Sequence, residues 1–267
     1  MPLWLRPDGG ALHYRDENPR GSRAVVLLHG LGATAASWEL QFPALTAAGW
    51  RILAPDAPGF GRSDPFPGGP VTIERTGRLL AAWLRAVAVP PLAVVGISLG
   101  GTHALALALD HPELVTRLVL VNTFARLRPR ALSVWFYYAL RLLLVHTVGL
   151  EAQARAVTAR IFPRPEQADL RRQLVAQIGQ ADPAAYRATM RALARFDVSA
   201  RLPLLSIPTL VVTAGADSTV PPAVQAELRA ALPAARQVVV ADAGHAVSVD
   251  HPAEFNAHLL NFLMPTL

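Results

Sequence analysis

The chain has 267 residues, enough for one large α/β domain, or one domain carrying an insertion, with a sizeable buried core. It contains no cysteine and no lysine, which excludes disulfides, thiolate metal sites, a cysteine nucleophile, Schiff-base chemistry and a lysine-dependent phosphate loop. The formal charge of +6 is concentrated, with thirteen arginines against five acids in residues 124–201 and twelve against fourteen elsewhere. No aromatic-glycine signature of an RNA-binding sheet accompanies it, so nucleic acid is not an expected partner.

In chain order, β-like runs at Ala11–Arg15, Ala24–His29, Arg51–Pro55, Leu92–Ile97 and Leu118–Asn122 alternate with helix-like segments at Ala35–Ala48, Thr72–Val87 and Gly101–Asp110. Strands that are apolar throughout and alternate with helices predict an α/β fold, a mostly parallel sheet with helices on both faces. Met1–Asp16 lacks the pattern of a secretory signal, and no twenty-residue stretch is free of polar interruption, so a cytoplasmic location is expected. After Val121 the rhythm fails. The next good strand, Thr209–Thr213, follows 85 residues (Phe124–Pro208), far more than a crossover needs. That gap reads as helices near Ala131–Val148, Glu151–Ile161, Pro165–Gln180 and Pro183–Phe196. Residues 1–123 and 202–267 are therefore expected to form the core, with 124–201 a helical cap inserted within it. The sheet resumes at Thr209–Thr213, followed by a helix at Pro221–Ala231, a strand at Gln237–Val240 and a helix at Pro252–Leu263.

One junction carries chemistry. The apolar run Val94–Ile97 breaks into Gly96-Ile97-Ser98-Leu99-Gly100 and a helix-like segment follows, so strand, sharp turn and helix meet at Ser98. About 0.04 such pentapeptides are expected by chance in a chain of this composition. A serine hydroxyl is a poor nucleophile until an imidazole takes its proton, usually with an acid behind the imidazole. Both occur after later strands: Asp217 in Ala214-Gly-Ala-Asp-Ser-Thr-Val-Pro, and His245 in Ala241-Asp-Ala-Gly-His-Ala. Loops at the carboxyl ends of parallel strands share one sheet edge, which lets the three converge. Asp242, three residues before His245, is a rival acid, and Asn122 reads as structural or pocket-lining because an amide cannot stabilise an imidazolium by charge.

This elbow, with the order Ser, Asp, His, resembles the α/β-hydrolase superfamily from about Leu12 to Leu263. His29-Gly30-Leu31-Gly32 is similar to the family's oxyanion loop, and Asp56-Ala57-Pro58-Gly59-Phe60-Gly61-Arg62-Ser63 to its structural turn. The resemblance implies a Ser98-His245-Asp217 triad, backbone N–H donors from Leu31 and Leu99, and no cofactor. The side chains of Leu31 and Leu99 are then available to line an apolar pocket. Ser98 replaces the aspartate nucleophile of epoxide- and halide-acting relatives. Leu99 and Ala246 replace tryptophans of iminopeptidase-like and C–C hydrolase relatives, so small carboxylesterases and enol-lactone hydrolases look most similar.

The expected reaction is hydrolysis of small-molecule esters with apolar acyl or alcohol groups. C–C, lactone, thioester or perhydrolytic chemistry at the same triad remains open, as does a ligand-binding protein without turnover. Phe124, Trp135, Tyr138, His146 and Ala246 are expected to line the substrate site. The greasy stretch Ala131–Val145 reads as a cap helix over the site, with a lid touching a lipid surface as the second reading. His29 is expected to fix its loop, His103 to lie behind the elbow, and Asp56 and Arg62 to satisfy a turn. His13, His111, His251 and His258 lack metal-ligand spacing, so no metal is expected.

Overall fold

A computed structural model describes residues 1–87, 91–127 and 132–264, without the side chains of 133–135 and 137. Eight strands form one sheet in the order β1-β2-β4-β3-β5-β6-β7-β8. These are β1 (Leu3–Leu5), β2 (Ala11–Glu17), β3 (Arg23–Leu28), β4 (Trp50–Pro55), β5 (Leu92–Ile97), β6 (Val115–Val121), β7 (Thr209–Ala214) and β8 (Ala235–Val240). Strands β3 to β8 pair in parallel, while β1 and β2 run antiparallel at one edge.

The alternation of side chains explains why the central strands are apolar without interruption. Val26, Leu28, Val94, Leu118 and Leu120 face a core closed by α2 (Ile73–Ala86) and α3 (Leu99–Asp110), with Leu80, Trp83 and Leu105 among its members. Their neighbours Val25, Leu27, Val95, Val119 and Val121 face the opposite core, closed by Trp38, by Phe42 and Leu45 of α1 (Phe42–Ala47), and by Phe255, Leu259 and Leu263 of α10 (Pro252–Leu263). Helix α2 begins where Thr72 Oγ1 accepts from Arg75 N at 3.1 Å, with Glu74 in the first turn favoured by the helix dipole. Further along, α8 (Pro222–Ala230) follows β7, and the short α9 (Val247–Asp250) precedes α10.

The helix expected over Ala35–Ala48 is instead two pieces, a 3-10 turn at Ala35–Trp38 and α1. Pro43 has no N–H to donate and its ring excludes a preceding helical turn, so it sits in the first turn of a new helix. Likewise Pro165–Gln180 divides into a 3-10 turn at Pro165–Gln167 and α6 (Ala168–Gly179). β1 and α9 were not anticipated; three- and four-residue elements carry too little periodicity to read.

Between β6 and β7 lie α4 (Leu132–Thr147), α5 (Leu150–Ile161), α6 and α7 (Pro183–Arg195). The ends of this insert meet, with the backbones of Arg126 and Asp197 paired in an isolated antiparallel β-bridge and Val198 N donating to Ala125 O at 3.0 Å. Its own core joins Val145, Val157, Ile178, Tyr186 and Met190 to Phe60 of the Asp56–Ser63 turn. On α4, Leu132, Phe136, Leu140 and Leu143 form an exposed stripe. Among the described residues no helix is long and apolar enough to cross a membrane.

Candidate active site

Ser98 sits between β5 and α3 with φ 54° and ψ −114°, a conformation L residues rarely adopt. Only glycine fits on either side. A Cβ on Gly96 would lie 2.2 Å from Gly100 O, and one on Gly100 would lie 2.0 Å from Leu28 O. The strained turn is held by Ser98 N donating to Val121 O at 2.9 Å and Thr123 Oγ1 donating to Ser98 O at 2.7 Å.

Asp217 lies in the loop after β7, its side chain fully buried. Its Oδ1 accepts from Thr219 N (2.7 Å) and Val220 N (2.9 Å), and its Oδ2 lies 2.8 Å from His245 Nδ1. A carboxylate accepts only, so His245 carries its proton on Nδ1 and presents Nε2 as an acceptor. Asp242, the rival acid, is exposed. Asn122 ties the strand ends together: its Nδ2 donates to His245 O (2.7 Å) and its Oδ1 accepts from Ala214 N (2.9 Å). Its role is structural.

Ser98 and His245 line one cavity of about 400 Å³ that also takes in Leu31, Phe124, Tyr138 and Ala246. His146 does not belong there. It is exposed, and its Nδ1 lies 2.7 Å from Leu142 O one turn back on α4, which keeps the ring on the outer face. The Leu99 side chain is also not pocket-lining, since it is fully buried in the sheet core beneath the elbow. The side chain of Trp135 lies outside the described residues.

Leu99 is the first residue of α3, so its N–H is one of the donors a helix N-terminus leaves without an intrahelical partner. Leu31 follows β3 in a loop fixed by His29, whose Nε2 accepts from Ala57 N (2.9 Å) and whose Nδ1 therefore donates to Gly30 O (2.8 Å). Burial lowers the His29 pKa against an opposing pull from Asp56. Asp56 in turn accepts from Ala35 N (2.8 Å) and Arg62 N (3.0 Å), a turn with its polar groups satisfied.

His103 lies buried on α3, and desolvation followed by the neighbouring His29 lowers its pKa from 6.5 to about 3. The folded state thus stays unprotonated while the unfolded chain takes up a proton near 6.5, so stability present above pH 6.5 is lost as pH falls toward 3. The unfolding midpoint is expected to drop between pH 7.5 and 5, with a shallower drop in His103→Gln. An identical pH slope in the two proteins would remove His103 from this account.

Asp250 was not anticipated. Its Oδ2 accepts from Gly244 N at 3.0 Å, next to His245, and its Oδ1 accepts from Arg164 and Gln167 at the α5–α6 junction. One buried carboxylate thus joins the histidine loop to the insert, through partners more than eighty residues upstream that no local pattern marks. Asp250→Ala is expected to cost about 2 kcal/mol of unfolding free energy. Chemical denaturation reads this directly; an unchanged midpoint would show the clamp to be idle.

A family model described as alpha/beta hydrolase fold matches residues 23–252. The chain is 36% identical over 257 residues, 94% of this chain and 96% of the relative, to a Variovorax paradoxus (strain S110) protein named "Putative carbamate hydrolase RutD". The structure is similar to that of a hydrolase from Pseudomonas aeruginosa PA01, with TM-score 0.89 and 28% identity, covering 99% of this chain and 98% of that one. It is equally similar to the enol-lactonase from Burkholderia xenovorans LB400, with TM-score 0.89 and 27% identity, covering 98% and 99%.

Proposed function

The chain is a hydrolase of the alpha/beta hydrolase fold family, and from that premise we propose that it cleaves carboxylic esters through a Ser98-His245-Asp217 triad and an acyl-enzyme. The observation that carries this reading is the shared cavity: strained Ser98 and His245 both line it, and the Nδ1 of His245 is bonded to a buried carboxylate. Ser98 Oγ attacks the carbonyl carbon as its proton passes to His245 Nε2, and Asp217 supports the imidazolium that forms. The N–H groups of Leu31 and Leu99 stabilise the oxyanion of the tetrahedral intermediate. His245 returns the proton to the departing alkoxide. Water, deprotonated by His245, then attacks the acyl-serine and releases the acid.

Residues 124–201 act as the cap that closes the site, and the apolar walls supplied by Leu31, Phe124, Tyr138, Val157 and Leu174 favour apolar acyl or alcohol parts. A series of p-nitrophenyl esters from acetate to octanoate tests this. A clear chain-length preference in kcat/KM is expected, and equal turnover of both ends would contradict apolar selection. The full-length similarity to a relative named as a carbamate hydrolase supports a second reading, in which the carbonyl attacked is a carbamate and Ser98 is carbamoylated. Phenyl carbamates in the same panel decide between them, by which class gives the higher kcat/KM.

A further inference from the structure

Asp250 brackets His245. Its Oδ2 accepts from Gly244 N at 3.0 Å, and its own N–H donates to Ala246 O at 2.9 Å, so His245 lies between two backbone positions that one residue holds. Asn122 holds the same stretch from the sheet side, through His245 O and Gly244 O. The Asp250 side chain is only 5% exposed, and its Oδ1 accepts from Arg164 Nη2 and Gln167 Nε2. His251 Nδ1, 3.3 Å from Oδ2, makes no hydrogen bond to it. The groups bonded to the two carboxylate oxygens are all donors. A carboxylate satisfies them and an amide does not, because turning its NH2 to either side sets donor against donor.

The insert side of this contact is itself a built unit. Arg164 and Gln167 close on each other around the Pro165–Gln167 turn, with Arg164 N donating to Gln167 Oε1 at 3.0 Å and Gln167 N to Arg164 O at 3.1 Å. Arg171 Nη1 of α6 donates to Phe162 O at 2.8 Å, which ties the start of α6 to the end of α5. The two helices supply a wall of the active-site cavity through Val157, Ile161, Leu170 and Leu174. They also come close to the histidine loop, where a Cβ on Gly244 would lie 3.2 Å from Ile161 O. The cavity wall and the loop that carries His245 thus meet at one carboxylate.

We propose that Asp250 is a positioning residue for His245 and that Arg164 is its partner in a latch, which couples the seating of the α5–α6 wall to the register of the imidazole between Asp217 and Ser98. This rests on the triad reading above and adds to it the group that aims the base. The imidazole must keep Nδ1 at 2.8 Å from Asp217 Oδ2 while Nε2 addresses Ser98. A displacement of about 1 Å in such an arrangement costs about 100-fold in rate. Without the carboxylate, Gly244 N–H loses its acceptor and the α5–α6 junction loses its hold on the loop. Asn122 is then the side chain left to fix the segment.

The test is the rate at which a small fluorophosphonate modifies Ser98, scaled to the folded fraction of each variant, together with the His245 ring signals in long-range 1H–15N spectra, assigned with His245→Gln. Asp250→Asn is expected to slow modification about 10- to 100-fold and to shift or broaden the ring signals. Arg164→Gln, which leaves Asp250 bonded to Gly244, is expected to slow it about 3- to 10-fold, and Arg164→Lys, which keeps the charge, to recover most of that loss. Loss of stability alone leaves both readouts of the folded protein unchanged. A rate within about twofold of wild type in either Asp250→Asn or Arg164→Gln therefore overturns the proposal. If Asp250→Asn does not fold, the two Arg164 variants decide by the same criterion. If the wild-type protein is not modified at Ser98, the triad reading fails on its own. The latch is then judged by the ring signals: a change in Arg164→Gln that Arg164→Lys reverses supports it, and unchanged signals overturn it.

Discussion

Ser98→Ala is expected to lower kcat for p-nitrophenyl esters by about 10,000- to 1,000,000-fold while the protein remains folded. The size follows from the role: without Oγ no acyl-enzyme forms, and only the oxyanion donors and substrate positioning remain. Stability supplies an independent check. At φ 54° and ψ −114° the serine backbone is strained, and alanine keeps the Cβ that causes the strain. Ser98→Gly removes it. The glycine variant is therefore expected to be as inactive as the alanine variant yet about 1 kcal/mol more stable than wild type. Loss of activity together with gain of stability is the signature of strain held for a nucleophile. Residual ester turnover within tenfold of wild type in both variants would assign the chemistry to another group.

Asp217→Asn is expected to reduce kcat about 10,000-fold at neutral pH with little change in KM. The local hydrogen bonds determine how the amide must sit. Thr219 N and Val220 N both donate to Oδ1, so the asparagine oxygen is drawn to that side and its NH2 is turned toward His245 Nδ1. A donor facing Nδ1 forces the imidazole proton onto Nε2, which can then no longer accept from Ser98. The exposed Asp242 gives the matched control, and Asp242→Asn is expected to leave kcat unchanged. A large loss at Asp242 with activity retained in Asp217→Asn would reverse the assignment of the acid.

The parts of the site legible in the sequence are those with a local cause. The glycines flanking Ser98 are demanded by contacts of 2.0 to 2.2 Å that a Cβ would make, so the elbow is written into five consecutive residues. The parallel sheet was legible for a similar reason, since strands covered on both faces must be apolar throughout. Choosing between Asp217 and Asp242 was harder. Both follow strands, and only the tertiary arrangement, which buries one carboxylate against His245 and leaves the other in water, separates them.

Helix α4 was opaque for a different reason. It is apolar on nearly all sides, so its pattern does not reveal which face turns inward. Tyr138, Arg141 and Val145 face the protein, while Leu132, Phe136, Leu140 and Leu143 face solvent, and His146 falls on the outer side. The clamp at Asp250 depends on partners far away in the chain, and such pairings leave no periodic trace.

The central claim, that Ser98 is the nucleophile activated by His245, is tested most directly by covalent trapping. The protein is treated with a fluorophosphonate at neutral pH, and the labelled peptide is identified by mass spectrometry. One adduct is predicted, on Ser98, forming at least a thousandfold more slowly in His245→Ala. An adduct on another residue, or labelling of Ser98 at an equal rate without His245, would contradict the account.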